Sequence, residues 1–241
     1  MNIIETDDLI RRIGHAMHEL CASNGFARIG GCSVFATLGM DVQWGGGTLA
    51  RIIEAGVLRQ TGEVPIEIYY NVVQGSGIDL RIALTDGDAP GRALLKMLNP
   101  SDSIVDWAVQ AASTWHRGQG VESVLGLGIG GNPELAMRMA RMALFEPHDI
   151  AQVMERGAHG WLEQLRVELM AACAVAGYPV KDVLIDAAPT HAGTKPVALM
   201  CGDLAASRFA HVVLTGNPVR SGADGAQRVT DPFPGCVRED G

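Results

Sequence analysis

Charge is scarce in this 241-residue chain, and positive charge scarcer still. Asp, Glu, Lys and Arg make up only 19% of the residues, and 19 bases against 27 acids leave a formal net charge of -8. So little positive charge provides no electrostatic footprint for nucleic acid or an anionic membrane. Long apolar runs are missing as well. Val121 to Gly130 and Pro196 to Cys201 are too short or too glycine-rich to cross a bilayer. No basic-then-apolar signal segment opens the sequence, so the expectation is a cytoplasmic protein that does not bind membranes. Cysteine is sparse and odd in number: Cys21, Cys32, Cys173, Cys201 and Cys236 form no CxxC pair and no disulfide framework, which fits a reducing compartment. What is abundant is apolar residue, at 47%, enough to bury a core and to exclude disorder. Glycine is abundant too: 30 residues, well above the roughly 7% of ordinary chains, imply backbone that is sharply bent or closely approached.

Helical spacing of Leu9, Ile10, Ile13, Met17 and Leu20 after Thr6, Asp7 and Asp8 predicts an amphipathic first helix with Thr6 as its N-cap, ending at Asn24-Gly25. Cys32 to Leu38 reads as a buried strand, and Thr48 as the cap of a helix carrying Leu49, Ile52, Ile53 and Val57. Ile66 to Val73 and Ile78 to Leu84 read as two strands of a hairpin closed by Gln74-Gly75-Ser76-Gly77. A helix over 103–115 is followed by a strand from Val124 to Ile129, a glycine turn, and a helix opened by Pro133. Ile150 to Ala176 reads as a long helix interrupted at Gly157 and Gly160, and Val180 to Ile185 returns to strand. Pro196 to Cys201 is a further apolar run, Leu204 to Phe209 reads as helical, and an irregular tail follows. No fixed-period repeat and no dividing linker is evident.

The segment Gly126-Leu127-Gly128-Ile129-Gly130-Gly131-Asn132-Pro133-Glu134 resembles a signature of the alpha-type domain of iron–sulfur (class I) fumarases and tartrate dehydratases. Thr190-His191-Ala192-Gly193-Thr194-Lys195-Pro196 resembles the Thr-His-x-x-x-x-Pro element of the same family, in the right order. Val34-Phe35 with Gly39 and Val42, Thr61-Gly62 with Pro65, Met97-Leu98 with Pro100-Ser101-Asp102, and Arg208 extend the likeness over 26–210. It implies an α/β fold, with mixed α+β left open: a single helix-rich domain around a small sheet. Residues 1–25 would add an N-terminal helix to that domain, and 211–241 an irregular C-terminal tail.

In that family three cysteines hold a [4Fe–4S] cluster, which needs thiolate ligands. The corresponding positions here fall on Phe26, Gly120 and Asp203, with Cys201 two residues out of register. The family's substrate-side aspartate becomes Arg28, its lysine-glycine loop looks replaced by Thr85-Asp86-Gly87-Asp88, and its arginine-bearing insert looks deleted. No cluster, and no other metal or cofactor, is therefore expected. The beta-type domain that usually completes the fold has no counterpart beyond a faint echo at Leu214-Thr215-Gly216.

His191 is the leading candidate for chemistry, since an imidazole passes protons near neutral pH. Asp203 would orient it if the fold brings them together, and Thr190 would donate its hydroxyl to substrate; plain loop roles are the alternatives. Gly128, Gly130, Gly131 and Asn132 would present backbone N–H groups to a carboxylate at a helix N-terminus, with tight strand-to-helix packing as the other possibility. Arg28 would bind the substrate's charge, or lie solvated on the surface. Cys201 reads as an inert thiol, and His15 with His18 as a solvated helix face. The reading is a cluster-free lyase acting on a small carboxylate-bearing anion by His-assisted proton transfer, as a homodimer or with a beta-type subunit. A hydrolase using the same pocket and a non-catalytic scaffold pairing with a beta-type partner are the alternatives.

Overall fold

The computed structural model describes residues 4–22, 29–86, 92–115, 123–178, 180–203 and 207–214. It is a mixed α/β structure with two four-stranded sheets, each in its own compact unit, in place of the single small sheet expected. The first unit takes residues 1–88 together with 207–241, and the second takes 89–206.

In the first unit, α1 (Thr6–Ala22) and α2 (Leu49–Thr61) cover one face of a sheet built from β1 (Ile29–Gly39), β2 (Ile66–Val73), β3 (Ile78–Asp86) and β8 (Ser207–Leu214). The helical stripe Leu9, Ile13, Met17, Ile53 and Val57 packs on Val34, Ala36, Ile78, Leu80, Ile82 and Leu84, all buried. Each such Leu or Ile side chain stabilises the fold by about 1.5–3 kcal/mol. Thr6 does not cap α1. Its hydroxyl donates to the carbonyls of Gly45 and Gly46 at 2.8 and 3.1 Å, and the Glu5 carbonyl accepts the N–H of Leu9 instead. Thr48 likewise makes no side-chain cap to α2.

The expected hairpin is not formed, because the strand order is β2-β1-β3-β8. β1 runs between the two, parallel to β2 and antiparallel to β3. A helical crossover through α2 sets β2 beside β1, and Gln74 to Gly77 then steps across two strand spacings, about 10 Å. That link closes on the end of β1 through Gly39 N–H to Gly77 O at 2.8 Å and Asp41 N–H to Gly75 O at 2.9 Å. The segment read as a helix from Leu204 enters β8 instead, which also takes 211–214 out of the expected tail; 204–206 and 215–241 lie outside the described residues.

The second unit contains β4 (Ala93–Leu98), α3 (Ile104–Ser113), β5 (Ser123–Gly131), α4 (Pro133–Ala143), α5 (Ile150–Arg156), α6 (Gly160–Val175), β6 (Val180–Thr190) and β7 (Lys195–Asp203). Its order, β4-β7-β5-β6, repeats the plan of the first sheet. A strand (β5) is joined by helical crossover to a parallel neighbour (β6), flanked on its other side by an antiparallel strand (β7), and followed by a second antiparallel strand (β4). In both sheets the fourth strand follows, in sequence, the third strand of the other: β4 comes after β3, and β8 after β7. The repetition is one of topology, which is why no sequence period reveals it.

β5 explains the glycine run. Leu125, Leu127 and Ile129 alternate with Gly126 and Gly128 at the two-residue period of a strand. Leu125 and Leu127 pack with Ala108, Ala112, Leu169 and Cys173 of α3 and α6. The glycines face α4 so closely that a Cβ on Gly128 would lie 1.9 Å from the Ala136 carbonyl oxygen, and one on Gly126 would lie 2.3 Å from that of Ala140. Two glycine-to-alanine changes should therefore act in opposite directions. Gly14→Ala inside α1, where the nearest foreign atom is 4.0 Å away, should stabilise by roughly 0.5–1 kcal/mol. Gly128→Ala should cost about 1–3 kcal/mol. Urea unfolding midpoints check both, and shifts of the same sign would contradict this packing.

Candidate active site at the ends of β5 and β6

The carboxyl ends of adjacent parallel strands are where open α/β sheets place their chemistry. Here those ends belong to β5 and β6. Gly130 and Gly131 turn the chain out of β5 at φ +88 and +64, a left-handed conformation that L side chains rarely adopt. Asn132 then caps α4, its side-chain oxygen accepting the N–H of Leu135 at 2.8 Å, with Pro133 in the first turn.

Thr190 is the register partner of Gly131 at the end of β6. Its hydroxyl lies 3.2 Å from the carbonyl oxygens of both Gly131 and Thr194. A hydroxyl has one hydrogen, and here it is committed to main-chain acceptors. Thr190 thus braces the two strand ends. His191 follows it on the surface, and the N–H of Gly193 donates to its Nδ1 at 3.1 Å. A nitrogen that accepts a hydrogen bond carries no proton, so the neutral ring holds its hydrogen on Nε2. The imidazole offers an N–H donor outward.

Of the residues proposed from sequence, the fold brings Gly130, Gly131, Asn132, Thr190 and His191 to one end of the sheet. Gly128 lies further back in β5 as a packing position against α4. Asp203 is not with them. It is the last residue of β7 and pairs with Ser123 at the opposite end of β5. Eight residues of extended chain from Lys195, or about 26 Å at 3.3 Å per residue, separate it from the His191 end. Asp203 therefore does not orient His191 within the second unit. Arg28 lies outside the described residues.

Lys195, quoted within the Thr-His element but given no role from sequence, is a second brace. Its Nζ donates to the Pro100 and Asp102 carbonyls at 3.1 and 2.6 Å, fixing the loop whose Ser103 caps α3. Beside it a cavity of about 390 Å³ is lined by Ser103, Ile104, Trp161, Leu165, Glu168 and Lys195, among others. Trp161 is 58% exposed in the first turn of α6, a position that apolar periodicity does not flag.

The other end of β6 holds a buried ionic network that sequence reading also missed. Fully buried Asp182 accepts from Arg166 Nη2 at 3.1 Å and from its own neighbour Val183 N–H at 2.6 Å. Arg166 Nε donates to Val183 O at 2.6 Å, and Nη2 also reaches Asp149 at 2.7 Å. Burial works against the guanidinium's charge, but the carboxylates of Asp149 and Asp182 outweigh it and hold Arg166 above its ordinary value. At the start of α6, Arg156 and the His159 N–H hold the Glu163 carboxyl down at about 2.

The described thiols lie in separate surroundings. Cys32 sits in the first unit's core, pushed up to about 12 by burial and by the neighbouring Cys21. Cys173 sits in the second unit's core, pushed up to about 11 by burial. Cys201 packs against that same second core. Among the described residues, no three Cys, His, Asp or Glu side chains converge to hold a metal. As a donor set, the described cysteines do not fit a cubane cluster, which requires three or four converging thiolates.

Residues 59–212 match the fumarate hydratase (Fumerase) family, a span that takes in the whole second unit and much of the first sheet. The match covers well over half of the chain, so the protein belongs to this family of lyases. Comparison with curated proteins gives no match.

The thiol environments yield a direct test. At pH 8 native Cys32 should react with iodoacetamide roughly a thousandfold more slowly than an ordinary thiol, and Cys173 roughly a hundredfold more slowly. Both should react at ordinary rates in urea. Mass spectrometry of the alkylated peptides checks this, and rapid native labelling of either residue would contradict its burial.

Proposed function

We propose that this member of the fumarate hydratase family acts on a small carboxylate-bearing molecule without an iron–sulfur cluster, with His191 as a neutral hydrogen-bond donor to the substrate. One observation carries the reading: the Gly193 N–H occupies Nδ1 of an exposed imidazole beside the capped N-terminus of α4. Adding water to a carbon–carbon double bond next to a carboxylate, or removing it, builds negative charge on that carboxylate as the α-carbon loses or gains its proton. Donors already aimed at the developing charge lower the barrier without rearranging during the reaction. A neutral histidine with Nε2–H outward suits this task.

This departs from the expectation of proton transfer by His191 with Asp203: β7 begins at Lys195, just after the turn that carries His191, and ends at Asp203. The absence of a cluster is supported by Phe26, Gly120 and Asp203 at the family's ligand positions, and by Cys32 and Cys173 lying within separate cores. No step is assigned to iron.

Two measurements test the reading. Turnover is followed by ultraviolet absorbance of the unsaturated acid across a panel of short 2-hydroxy and unsaturated dicarboxylates. His191→Ala should lower kcat by about 100- to 1,000-fold, as loss of a donor to developing negative charge does. His191→Gln, which keeps an N–H donor, should lose only about tenfold and leave the pH profile unchanged. A glutamine variant as inactive as alanine, or one that removes a limb near neutral pH, would return His191 to a proton-transfer role. Iron at about four per chain after anaerobic purification would overturn the cluster-free reading.

A further inference from the structure

The second unit holds a cavity that the proposed chemistry at His191 does not use. On α6, Trp161, Gln164, Leu165 and Glu168 recur at the three- and four-residue spacing that puts side chains on one helix face. That face borders the start of α3, and the cavity of about 390 Å³ lies between them. Its floor is apolar, because Leu165 and Ile104 both pack on the small core of Leu98, Ile129 and Val197. Glu168 lies one helical turn beyond Leu165 along α6 and Trp161 one turn before it, a rise of about 4.5–6 Å in each direction.

Two opposite charges line this cavity, on Lys195 and Glu168. Lys195 Nζ donates to the carbonyls of Pro100 and Asp102, in the loop that leads into Ser103 and Ile104. An ammonium has three hydrogens, so one remains for a ligand. The Ser103 oxygen accepts the Asp106 N–H and keeps its own hydrogen to donate. Across the floor, Glu168 Oε1 accepts from Gln164 Nε2 at 3.1 Å, and among the described residues no cation pairs with that carboxylate. Trp161 lines the same space and stays largely exposed. Donors of positive character, a carboxylate without a counter-ion and an aromatic ring thus surround one apolar floor.

We propose that this cavity binds a free α-amino acid with a large apolar side chain. Its carboxylate meets Lys195 and the Ser103 hydroxyl, its ammonium meets Glu168, and its side chain lies over Leu165 and Ile104 against the Trp161 ring. An α-amino acid carries both charges on one carbon, which suits walls set about one turn of α6 apart. A dicarboxylate would bring a second negative charge against Glu168, and a diamine a second positive charge against Lys195; a zwitterion complements both. If Trp161 served only to cover Leu165, neither charge would matter and the cavity would bind nothing.

The full-length protein carrying ¹⁵N-labelled tryptophan, titrated with L-phenylalanine as the probe, separates the two, with the Trp161 indole signal assigned through Trp161→Phe. Millimolar phenylalanine should shift that signal saturably. 3-Phenylpropionate, which lacks the ammonium, and phenylalaninamide, which lacks the carboxylate, should each bind about tenfold or more weakly, as loss of a charge-assisted hydrogen bond implies. Glu168→Gln should weaken phenylalanine by a similar factor and leave 3-phenylpropionate unchanged, so that the two bind alike. Glu168 is exposed, so this variant decides the matter even if Lys195→Met, which should abolish the preference for phenylalanine over its amide, fails to fold. No saturable shift up to about 20 mM phenylalanine, where millimolar binding is nearly complete, would overturn the proposal. So would 3-phenylpropionate or the amide binding as tightly as phenylalanine, or Glu168→Gln leaving phenylalanine binding unaltered. None of these readouts involves His191, so failure here leaves the proposed lyase chemistry standing, and the reverse also holds.

Discussion

Helix α4 lies directly on the main chain of β5, and the geometry of the candidate site depends on that contact. Strand and helix approach this closely only because Gly126 and Gly128 present no side chain toward Ala136 and Ala140. The approach brings the first turn of α4 down to the end of β5. Gly130 and Gly131 can then make the connection, Asn132 can cap it, and Thr190 can reach the Gly131 carbonyl from the neighbouring strand. A single methyl on Gly128 would displace the helix, and with it the Leu135 N–H that the Asn132 side chain accepts. Gly126 and Gly128 thus set the position of α4 through packing.

That packing was partly legible in the sequence, because strand alternation and helix caps are local properties. The strand through Val124 to Ile129, Pro133 in the first turn of α4, and the break between α5 and α6 at Gly157 and Gly160 all follow from local chemistry. Pairing is not local. Gln74-Gly75-Ser76-Gly77 reads as a hairpin turn, yet β1 takes the place between β2 and β3. β4 is equally unreadable alone, since Ala-Leu-Leu-Lys-Met-Leu shows no alternation and gains its identity only by pairing with β7. Whether Asp203 reaches His191 depends on the fold, and β7 ends with Asp203 opposite Ser123, at the start of β5.

Histidine chemistry was least legible of all, because it depends on single neighbouring atoms. His191 and His211 are indistinguishable as residue types, and both lie on or beside strands. The Gly193 N–H donates to Nδ1 of the first at 3.1 Å, while Nε2 of the second lies 2.8 Å from the Asp79 carboxylate. The Thr-His element marked His191 for attention without indicating which of its nitrogens was available. Nothing in the sequence marked His211, whose partner lies 132 residues earlier in the chain.

The two ends of β6 are held in different ways. At its start, Asp182 and Arg166 are buried and bonded to each other, to Asp149 and to the Val183 main chain. Removing one partner from such a network would strand a buried charge, at a cost of about 3–5 kcal/mol. At its finish, Thr190 and His191 are exposed, and their side chains are held by main-chain atoms. Main-chain braces depend on the backbone path, so the side chains around them can change while the position of the imidazole is kept. The strand ends and the turn between them are held by main-chain hydrogen bonds, among them Thr194 N–H to His191 O at 3.2 Å.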